Sequence, residues 1–331
     1  RCRDITPPNT SGTIRINHAN ICLIEIPFLI LVLIERNAHM VGKVVIVTGG
    51  NSGIGLETNL AERGARVIMA CRNEGRAAVA RDQIVAATGN PDVHYRHLDL
   101  ASLKSVREFA DNINKTEERL DILINNAAIY GSKLEKTEDG LLLGMQSNHF
   151  GPFLLTNLLL PKLKSSAPSR IVNVSSIAHE KGIIDLNNLN SEKETDETIN
   201  VSKVYSASKL CNILMTVELD RQLRGTGVTV NCLHPGVVDT EILTVIPVFN
   251  KLLPLLRLFF KNSWEGAQTT VHLAVAPEVA SISGRYFKDC REAIPSKSAQ
   301  DLKVARELWE VSEKLLISKS SQDLVIISKS E

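Results

Sequence analysis

A glycine-rich turn between an apolar run and a helical pattern constrains the fold of this chain more than any other feature. The run Lys43–Thr48 continues directly into Thr-Gly-Gly-Asn-Ser-Gly-Ile-Gly at 48–55. Glycines allow the backbone to turn sharply and to approach a pyrophosphate, whose negative charge is favoured at the N-terminus of the helix that follows. Such a turn is a weak signal alone, but between a buried strand and a helix it predicts a dinucleotide-binding unit.

From Val41 onward, short β-branched runs alternate with longer helical periods such as Ser102–Asn114 and Tyr205–Leu223, as in repeated βα units. Several of the apolar runs are nearly continuous, which is typical of parallel strands buried on both faces. Right-handed crossovers then give a single-domain α/β fold, a Rossmann-type doubly wound parallel sheet with helices on both faces. The predicted strands are Lys43–Thr48, Arg66–Cys71, Val93–Leu98, Asp121–Asn125, Arg170–Ser175, Val228–Leu233 and Arg285–Phe287.

The two ends of the chain differ from this central domain, which is predicted to span 40–316. The apolar run 21–34 is interrupted by Glu25 and Pro27, and it is shorter than the roughly 20 residues that a bilayer-spanning helix needs. Residues 1–39 are therefore interpreted as a leader that is not native, with Met40 as the natural start, or as a weak membrane anchor. The polar, serine-rich segment 317–331 repeats Ile-Ser-Lys-Ser and is expected to form a loose tail.

The charge balance and the cysteines argue against several function classes. The 331 residues carry a net charge of +1, whereas a general nucleic-acid binder needs a basic face to neutralise phosphates. The 6 cysteines are scattered, with no Cys-x-x-Cys pair and no cluster of His and Cys, so neither a disulfide framework nor a metal site is predicted. Dispersed thiols of this kind indicate an intracellular protein.

The end of the second predicted strand bears on which dinucleotide binds. Enzymes that use NAD normally carry Asp or Glu there, hydrogen-bonded to the ribose 2′-hydroxyl. Here the strand ends Ala-Cys-Arg-Asn at 70–73, with no carboxylate before Glu74. Arg72 would instead bind a 2′-phosphate through charge-assisted hydrogen bonds, the alternative being that Arg72 is a solvated loop residue. The sequence favours NADP(H) over NAD as the cofactor.

A tyrosine and a lysine four residues apart open the amphipathic helix Tyr205–Leu223. The spacing puts Tyr205 and Lys209 on one helix face, about one turn apart. A free phenol has a pKa of about 10 and is a poor base at neutral pH, but a nearby ammonium favours the phenolate. Such a pair is common on exposed helix faces. After a glycine-rich turn and a fifth strand, however, it indicates a general acid/base.

Together these features resemble the short-chain dehydrogenase/reductase family over roughly residues 41–316. The resemblance implies that Tyr205 is the general acid/base and that Lys209 tunes it and holds the nicotinamide ribose. It also implies that Ser176, rather than Ser175, hydrogen-bonds the substrate oxygen. Asn148 would anchor a proton-relaying water, or else act as a structural residue that kinks its helix. The matching motifs are Thr48–Gly55, Asp99-Leu100, Asn125-Asn126-Ala127-Ala128, Asn148, Val174-Ser175-Ser176, Tyr205–Lys209 and Pro235-Gly236.

The resemblance further implies a cofactor-binding set, with Asp99 beside the adenine, Asn126 beside the dinucleotide and 237–240 at the nicotinamide carboxamide. Two positions depart from the family pattern. Ala128 replaces the glycine of Asn-Asn-Ala-Gly, which should be tolerated, and the first helix, which ends before Gly64, is about two residues short. Because losing two residues rotates the rest of a helix by about 200°, this helix is expected to end early or to shift its register. The implied cofactor-binding residues are Thr48, Gly49, Asn51, Ser52, Gly53, Ile54, Gly55, Arg72, Asp99, Leu100, Asn126, Pro235, Gly236, Val238 and Thr240.

Within this family the sequence most resembles the retinol dehydrogenases of the retinal-reductase type. This likeness implies a retinoid, or another lipophilic carbonyl or alcohol, as the substrate. The alternatives are a carbonyl reductase for non-retinoid substrates and a non-catalytic dinucleotide-binding scaffold, against which the complete set of catalytic residues speaks. The likeness lies in Ala70–Asn73, Asn173–Ser176, Ala178-His179, Tyr286–Cys290, Ala305-Arg306 and Leu308–Glu310.

The apolar segment 245–261 follows Pro235-Gly236 and contains three basic residues. In the family this segment is the usual lid over the substrate, and its leucines and phenylalanines suit a lipophilic ligand. Basic residues among apolar ones also suit contact with a membrane surface, as does the run 21–34. The alternative is a helix that packs on the core or on a homodimer partner. We therefore expect an intracellular protein in the cytoplasm or on the cytosolic face of an internal membrane.

Overall fold

Helices flank both faces of one mixed β-sheet in the computed structural model, which describes residues 39–57, 60–131, 133–238 and 260–319. The predictions for residues 1–38, for Thr240, for 245–259 and for 320–331 lie outside the described residues.

The sheet has the strand order β3-β2-β1-β4-β5-β6-β7-β8 within the described part of the chain. Strands β1 to β7 are parallel, and β8 pairs antiparallel with β7. The order reverses between β1 and β4, which is the switch point at which doubly wound sheets bind ligands. The predicted fold class is confirmed. The strands are β1 Val44–Thr48, β2 Arg66–Cys71, β3 Val93–His97, β4 Ile122–Asn125, β5 Ser169–Val174, β6 Val228–His234, β7 Tyr286–Lys288 and β8 Arg291–Ala293.

Strand β8 is absent from the predicted set for two reasons. Its three residues, Arg-Glu-Ala, form no apolar run, because the strand lies at the edge of the sheet. The turn before it places Asp289 and Cys290 at φ values of 50° and 58°, where most hairpins have glycine or asparagine. A short charged strand after such a turn carries little sequence signal.

The longer helices cover the two faces of the sheet. Several begin at a residue whose side chain accepts a hydrogen bond from a backbone N–H of the first turn, such as Asn73, Asn200 and Asp301. Because Asn200 caps α5, this helix starts four residues before the predicted Tyr205. The helices are α1 Gly53–Glu57, α2 Glu74–Thr88, α3 Leu103–Thr116, α4 Gly151–Ser165, α5 Val201–Leu223, α6 Ser263–Val275 and α7 Leu302–Ser318.

Both faces of the central strands are buried, which explains their continuous apolar sequence. In β1, Val44 and Ile46 join the core on the side of α3, α4, α5 and α7, whereas Val45 and Val47 join the core beneath α2 and α6. Every β1 side chain is therefore removed from water, as the parallel arrangement requires.

The helix after the glycine-rich turn is described over Gly53–Glu57, and a 3-10 turn follows at Ala61–Arg63. Gly64 ends that turn with a φ of 82°, and the chain then enters β2. Ala61 is buried in the core beneath α2. The 3-10 turn thus leads into β2, and the expected early end or register shift of the first helix stays a prediction.

Candidate active site

A cavity of about 990 Å³ opens at the carboxyl ends of the central strands, around the point where the strand order reverses. Open α/β sheets bind their ligands in this kind of crevice. Thr48 and Asn148 do not line the wall, and Thr240 lies outside the described residues. The predicted site residues that line the wall are Gly49, Asn51, Ser52, Gly53, Ile54, Gly55, Arg72, Asp99, Leu100, Asn126, Ser176, Tyr205, Lys209, Pro235, Gly236 and Val238.

The glycine-rich turn packs tightly against the end of β4. Gly49 and Gly53 have φ values of 66° and 51°, a left-handed conformation that glycine adopts without strain. A Cβ at Gly55 would lie 2.3 Å from the carbonyl oxygen of Gly49, so a side chain does not fit at this position. Next to the turn, Thr48 Oγ1 accepts a hydrogen bond from the backbone N–H of Asn126 (2.9 Å). The turn therefore lets the backbone come close to a pyrophosphate.

Two exposed arginines border the cavity beyond β2. Arg72 and Arg76 both line the wall, and Asn73 between them accepts a hydrogen bond from the backbone N–H of Arg76 (2.8 Å). Arg76 is not among the predicted site residues. The sequence indicates it only as a second arginine close after Arg72. Arg76 lies in the first turn of α2, which brings its side chain to the wall of the same cavity. Two guanidinium groups thus border the cavity where the chain passes from β2 into α2.

Ser176 and Tyr205 meet at the wall of the cavity. Ser176 directly follows β5, and its side chain hydrogen-bonds to that of Tyr205. Its Oγ also accepts a hydrogen bond from the backbone N–H of Ala178 (3.2 Å). Ser175 is buried instead, and its hydroxyl donates to the backbone carbonyl of Lys209 (2.7 Å). Of the two serines, Ser176 is the one that reaches the phenol.

Lys209 is buried on α5, one turn after Tyr205. Its Nζ lies 5.7 Å from the centre of the Tyr205 ring and donates a hydrogen bond to the backbone carbonyl of Val174 (3.0 Å). Burial lowers the pKa of Lys209 to about 8. The amine is therefore anchored to the end of β5.

The acidity of Tyr205 differs from the prediction made from its spacing to Lys209. Burial raises the pKa of the phenol to about 12, although the hydrogen bond from Ser176 acts in the opposite direction. Desolvation is the largest cause of this shift, and the ammonium of Lys209 bonds to the carbonyl of Val174. At neutral pH Tyr205 is a protonated phenol, which is the form that donates a proton.

Asn148 lies in the π-helical turn Gln146–Phe150 that precedes α4. Its Oδ1 accepts from the backbone N–H of Ile129 (2.8 Å), and its Nδ2 donates to the carbonyl of Ile129 (2.8 Å) and to Ser208 Oγ (3.1 Å). Both amide hydrogens are thus used in tying the loop after β4 to α5. The predicted role of Asn148 as a water anchor stays a prediction.

Tyr130 contacts the site, although no sequence motif singles it out. Its ring centre lies 5.2 Å from that of Tyr205. Its hydroxyl group hydrogen-bonds to Ser202, which lies on α5 together with Tyr205. It lines the cavity and follows Ile129, whose backbone Asn148 holds. An aromatic residue shortly after Asn-Asn-Ala-Ala is the one signal that the sequence offers.

Two features are absent from the described part of the chain. No group of three or more His, Cys, Asp and Glu there is arranged to hold a metal ion. No described helix combines the length and the apolarity that a membrane crossing requires.

A doubly wound sheet with a glycine-rich turn, a buried lysine and a tyrosine beside a serine is the arrangement of a dinucleotide-dependent oxidoreductase. The chain belongs to the short-chain dehydrogenase family, whose model matches residues 43–248. The family resemblance predicted from the motifs is confirmed.

Individual relatives extend this finding. Retinol dehydrogenase 13 of Mus musculus is 48% identical over 287 residues, which cover 84% of this chain and 85% of the relative. An uncharacterized protein from Mycobacterium paratuberculosis has a similar crystal structure, with a TM-score of 0.68 and 33% identity over 85% of this chain and 96% of that chain. RhlG of Pseudomonas aeruginosa, solved as an NADP active-site complex, gives a TM-score of 0.61 and 25% identity over 80% of this chain and 99% of that chain.

Proposed function

We propose that the protein is an NADP(H)-dependent oxidoreductase that transfers a hydride between the nicotinamide and a lipophilic carbonyl or alcohol of the retinal and retinol type. The observation that carries the proposal is the phenol of Tyr205 beside Ser176, on the wall of the cavity that the glycine-rich turn also lines. A proton donor and a dinucleotide cradle in one cavity are what carbonyl reduction needs.

The residues of the cavity fit the cofactor. Gly49, Gly53 and Gly55 line the cavity and carry no side chain, so the turn offers bare backbone to a pyrophosphate. Gly236 and Val238, after β6, line the same cavity, and the family resemblance implies that 237–240 contact the nicotinamide carboxamide. When bound, the dinucleotide supplies the hydride.

The chain's own residues would handle the proton. The Ser176 hydroxyl holds the substrate oxygen, and the phenol of Tyr205 donates its proton to that oxygen as the negative charge develops. Lys209, anchored at the carbonyl of Val174, supports the phenolate that remains. Asn148 and Tyr130 fix the loop after β4 against α5, which keeps this side of the cavity in place.

The substrate class rests on the wall of the cavity and on the relatives. Ile177 and Val237 line the cavity and are 42% and 39% exposed, so they offer apolar surface to a lipophilic ligand. Retinol dehydrogenase 13 is named for a lipophilic alcohol, and 48% identity supports a related substrate. Membrane-surface contact through 245–261 or 21–34, a homodimer and the intracellular location stay predictions.

The direct test is a substrate and cofactor panel on the purified full chain. We expect NADPH oxidation with all-trans-retinal or a medium-chain aldehyde, and much slower oxidation of NADH. The assay follows the absorbance of the reduced nicotinamide together with product formation. Binding of NADPH without turnover of any carbonyl would instead support the scaffold alternative.

Replacement of Arg72 tests the cofactor preference. Arg72→Asp should raise the KM for NADPH by about 10-fold or more, because a charge-assisted contact with the 2′-phosphate becomes a repulsion. The KM for NADH should fall or stay constant. The matched control is Arg81→Asp, since Arg81 lies on α2, the helix that follows Arg72, pairs with Asp82 and does not line the cavity. Equal KM values for NADPH in both variants would contradict the role of Arg72.

A further inference from the structure

Two buried histidines hold the peptide group that joins Ser176 to Ile177. On one side, His179 Nδ1 lies 2.7 Å from the carbonyl oxygen of Ser176. On the other side, His234 Nδ1 accepts a hydrogen bond from the backbone N–H of Ile177 (3.1 Å). The carbonyl and the N–H belong to the same planar peptide unit, so its orientation is fixed at both ends.

The tautomer of His179 follows from its partners. The backbone N–H of Ser296 can only donate, and it points at His179 Nε2 over 3.2 Å. Nε2 therefore carries no proton, and Nδ1–H is free to donate to the carbonyl of Ser176, which can only accept. A protonated ring would lose the contact with Ser296. The geometry thus places the ring proton of His179 on Nδ1.

His234 has the opposite tautomer. Its Nδ1 accepts from Ile177 and also, over 3.4 Å, from the backbone N–H of Gly236, so the proton must lie on Nε2. Burial, together with the nearby Lys288, lowers the pKa of His234 to about 4. The ring is therefore neutral, and available as an acceptor, throughout the neutral pH range.

The backbone before Ser176 is held as well. The N–H of Ser175 donates to the carbonyl of Leu233 (2.7 Å), which continues the pairing of β5 with β6. Ser176 itself is extended, with φ −160° and ψ 159°. Because the chain is fixed on both sides, the direction of the Cα–Cβ bond of Ser176, and hence the region that its hydroxyl can reach, is fixed too.

We propose that His179 and His234 are positioning residues that act through Ser176, by orienting the peptide group after it so that its hydroxyl faces Tyr205 and the substrate oxygen. Neither ring needs to touch the substrate. This inference rests on the proposed function, in which Ser176 holds the substrate oxygen. It adds a link from the segment at Ser296, after β8, to the reacting centre.

The test compares asparagine and glutamine at each histidine. Asparagine reproduces the position of Nδ1, which faces the peptide group, whereas glutamine reproduces that of Nε2. His179→Asn should keep most of kcat, and His179→Gln should lower it by about 10-fold or more, because small misplacements of a catalytic group are costly. The KM for NADPH should change little in either variant. Equal kcat values for the two variants would overturn the proposal.

The same pair at His234 repeats the comparison from the other side of the peptide group. His234→Asn should again exceed His234→Gln in kcat, which keeps the proposal testable if a His179 variant does not fold. The matched control is His272→Gln, since His272 is also buried but lies on α6, where its ring centre is 6.2 Å from that of Phe287. This control should leave kcat unchanged even where thermal unfolding shifts.

The effect of His179→Gln in a protein that already lacks the Ser176 hydroxyl distinguishes a positioning role from a general loss of structure. In Ser176→Ala protein, the hydroxyl that the histidines orient is absent, so His179→Gln should lower kcat less than 2-fold, against about 10-fold in the presence of Ser176. The same loss in both backgrounds would overturn the positioning role. If Ser176→Ala alone left kcat unchanged, the proposed role of Ser176 would fail instead, so the two failures are distinguishable.

Discussion

Tyr205→Phe is expected to lower kcat for retinal or aldehyde reduction by about 1000-fold, because positioned proton transfer contributes roughly 100-fold to 10,000-fold. The substitution removes one oxygen atom and keeps the ring that packs 5.2 Å from Tyr130. Binding of NADPH should stay nearly unchanged, since the glycine-rich turn and Arg72 lie at the other end of the cavity. Steady-state kinetics and nucleotide fluorescence titration measure the two quantities.

A matched control for this variant is Tyr130→Phe. It removes the hydroxyl that bonds to Ser202 and retains the ring contact with Tyr205. We expect at most a small decrease in kcat, since Tyr130 contacts the phenol through its ring. A Tyr205→Phe protein with wild-type kcat would rule out the proposed proton transfer.

Lys209→Met is expected to lower kcat by about 100-fold or more. Methionine has a comparable length but lacks the charge that supports the phenolate once the proton has left Tyr205. The hydrogen bond to the carbonyl of Val174 is also lost. The KM for NADPH should rise as well, because the resemblance places this amine at the nicotinamide ribose. Full activity of the variant would contradict both roles.

The same variant carries a stability signature with a defined sign. Burial lowers the pKa of Lys209 from 10.5 to about 8. Between these two values the unfolded chain holds a proton that the folded protein has released, so the contribution of Lys209 to folding becomes more favourable as the pH rises. At pH 7 the buried charge is a cost in the wild type alone. The stability of Lys209→Met relative to the wild type should therefore be greatest near pH 7 and should decrease as the pH rises to 9.5, as measured by urea unfolding.

The repeated βα pattern predicts the fold well because each central strand is buried on both faces. Val44 to Val47 are all removed from water, so their apolar character is independent of details elsewhere in the chain. Strand β8 has no such requirement, and its charged residues are compatible with a loop as well as with an edge strand. Burial, and not strand propensity, decides which strands the sequence reveals.

The site follows a similar division. The sequence reveals Gly55, Tyr205 and Lys209 because their roles depend on local spacing. Gly55 belongs to the pattern of one turn, and Tyr205 and Lys209 lie four residues apart on one helix. The pKa of Tyr205 was not predictable in the same way, since it depends on burial by elements distant in sequence. The histidines at 179 and 234 act through backbone contacts across the fold, and a single sequence contains no periodicity that records such contacts.

Two reciprocal hydrogen bonds connect the end of β5 with α5: the Ser175 hydroxyl to the Lys209 carbonyl, and the Lys209 amine to the Val174 carbonyl. These two bonds hold the end of β5 and the start of α5 in a fixed relative position. Ser176 follows β5 and Tyr205 lies on α5, so the two reactive hydroxyls keep their relative position as well. Selection can therefore reshape the outer pocket around Ile177 and Val237 to accept new molecules while proton delivery stays intact. In this fold the substrate can therefore change through the pocket residues without any change in the groups that transfer the proton.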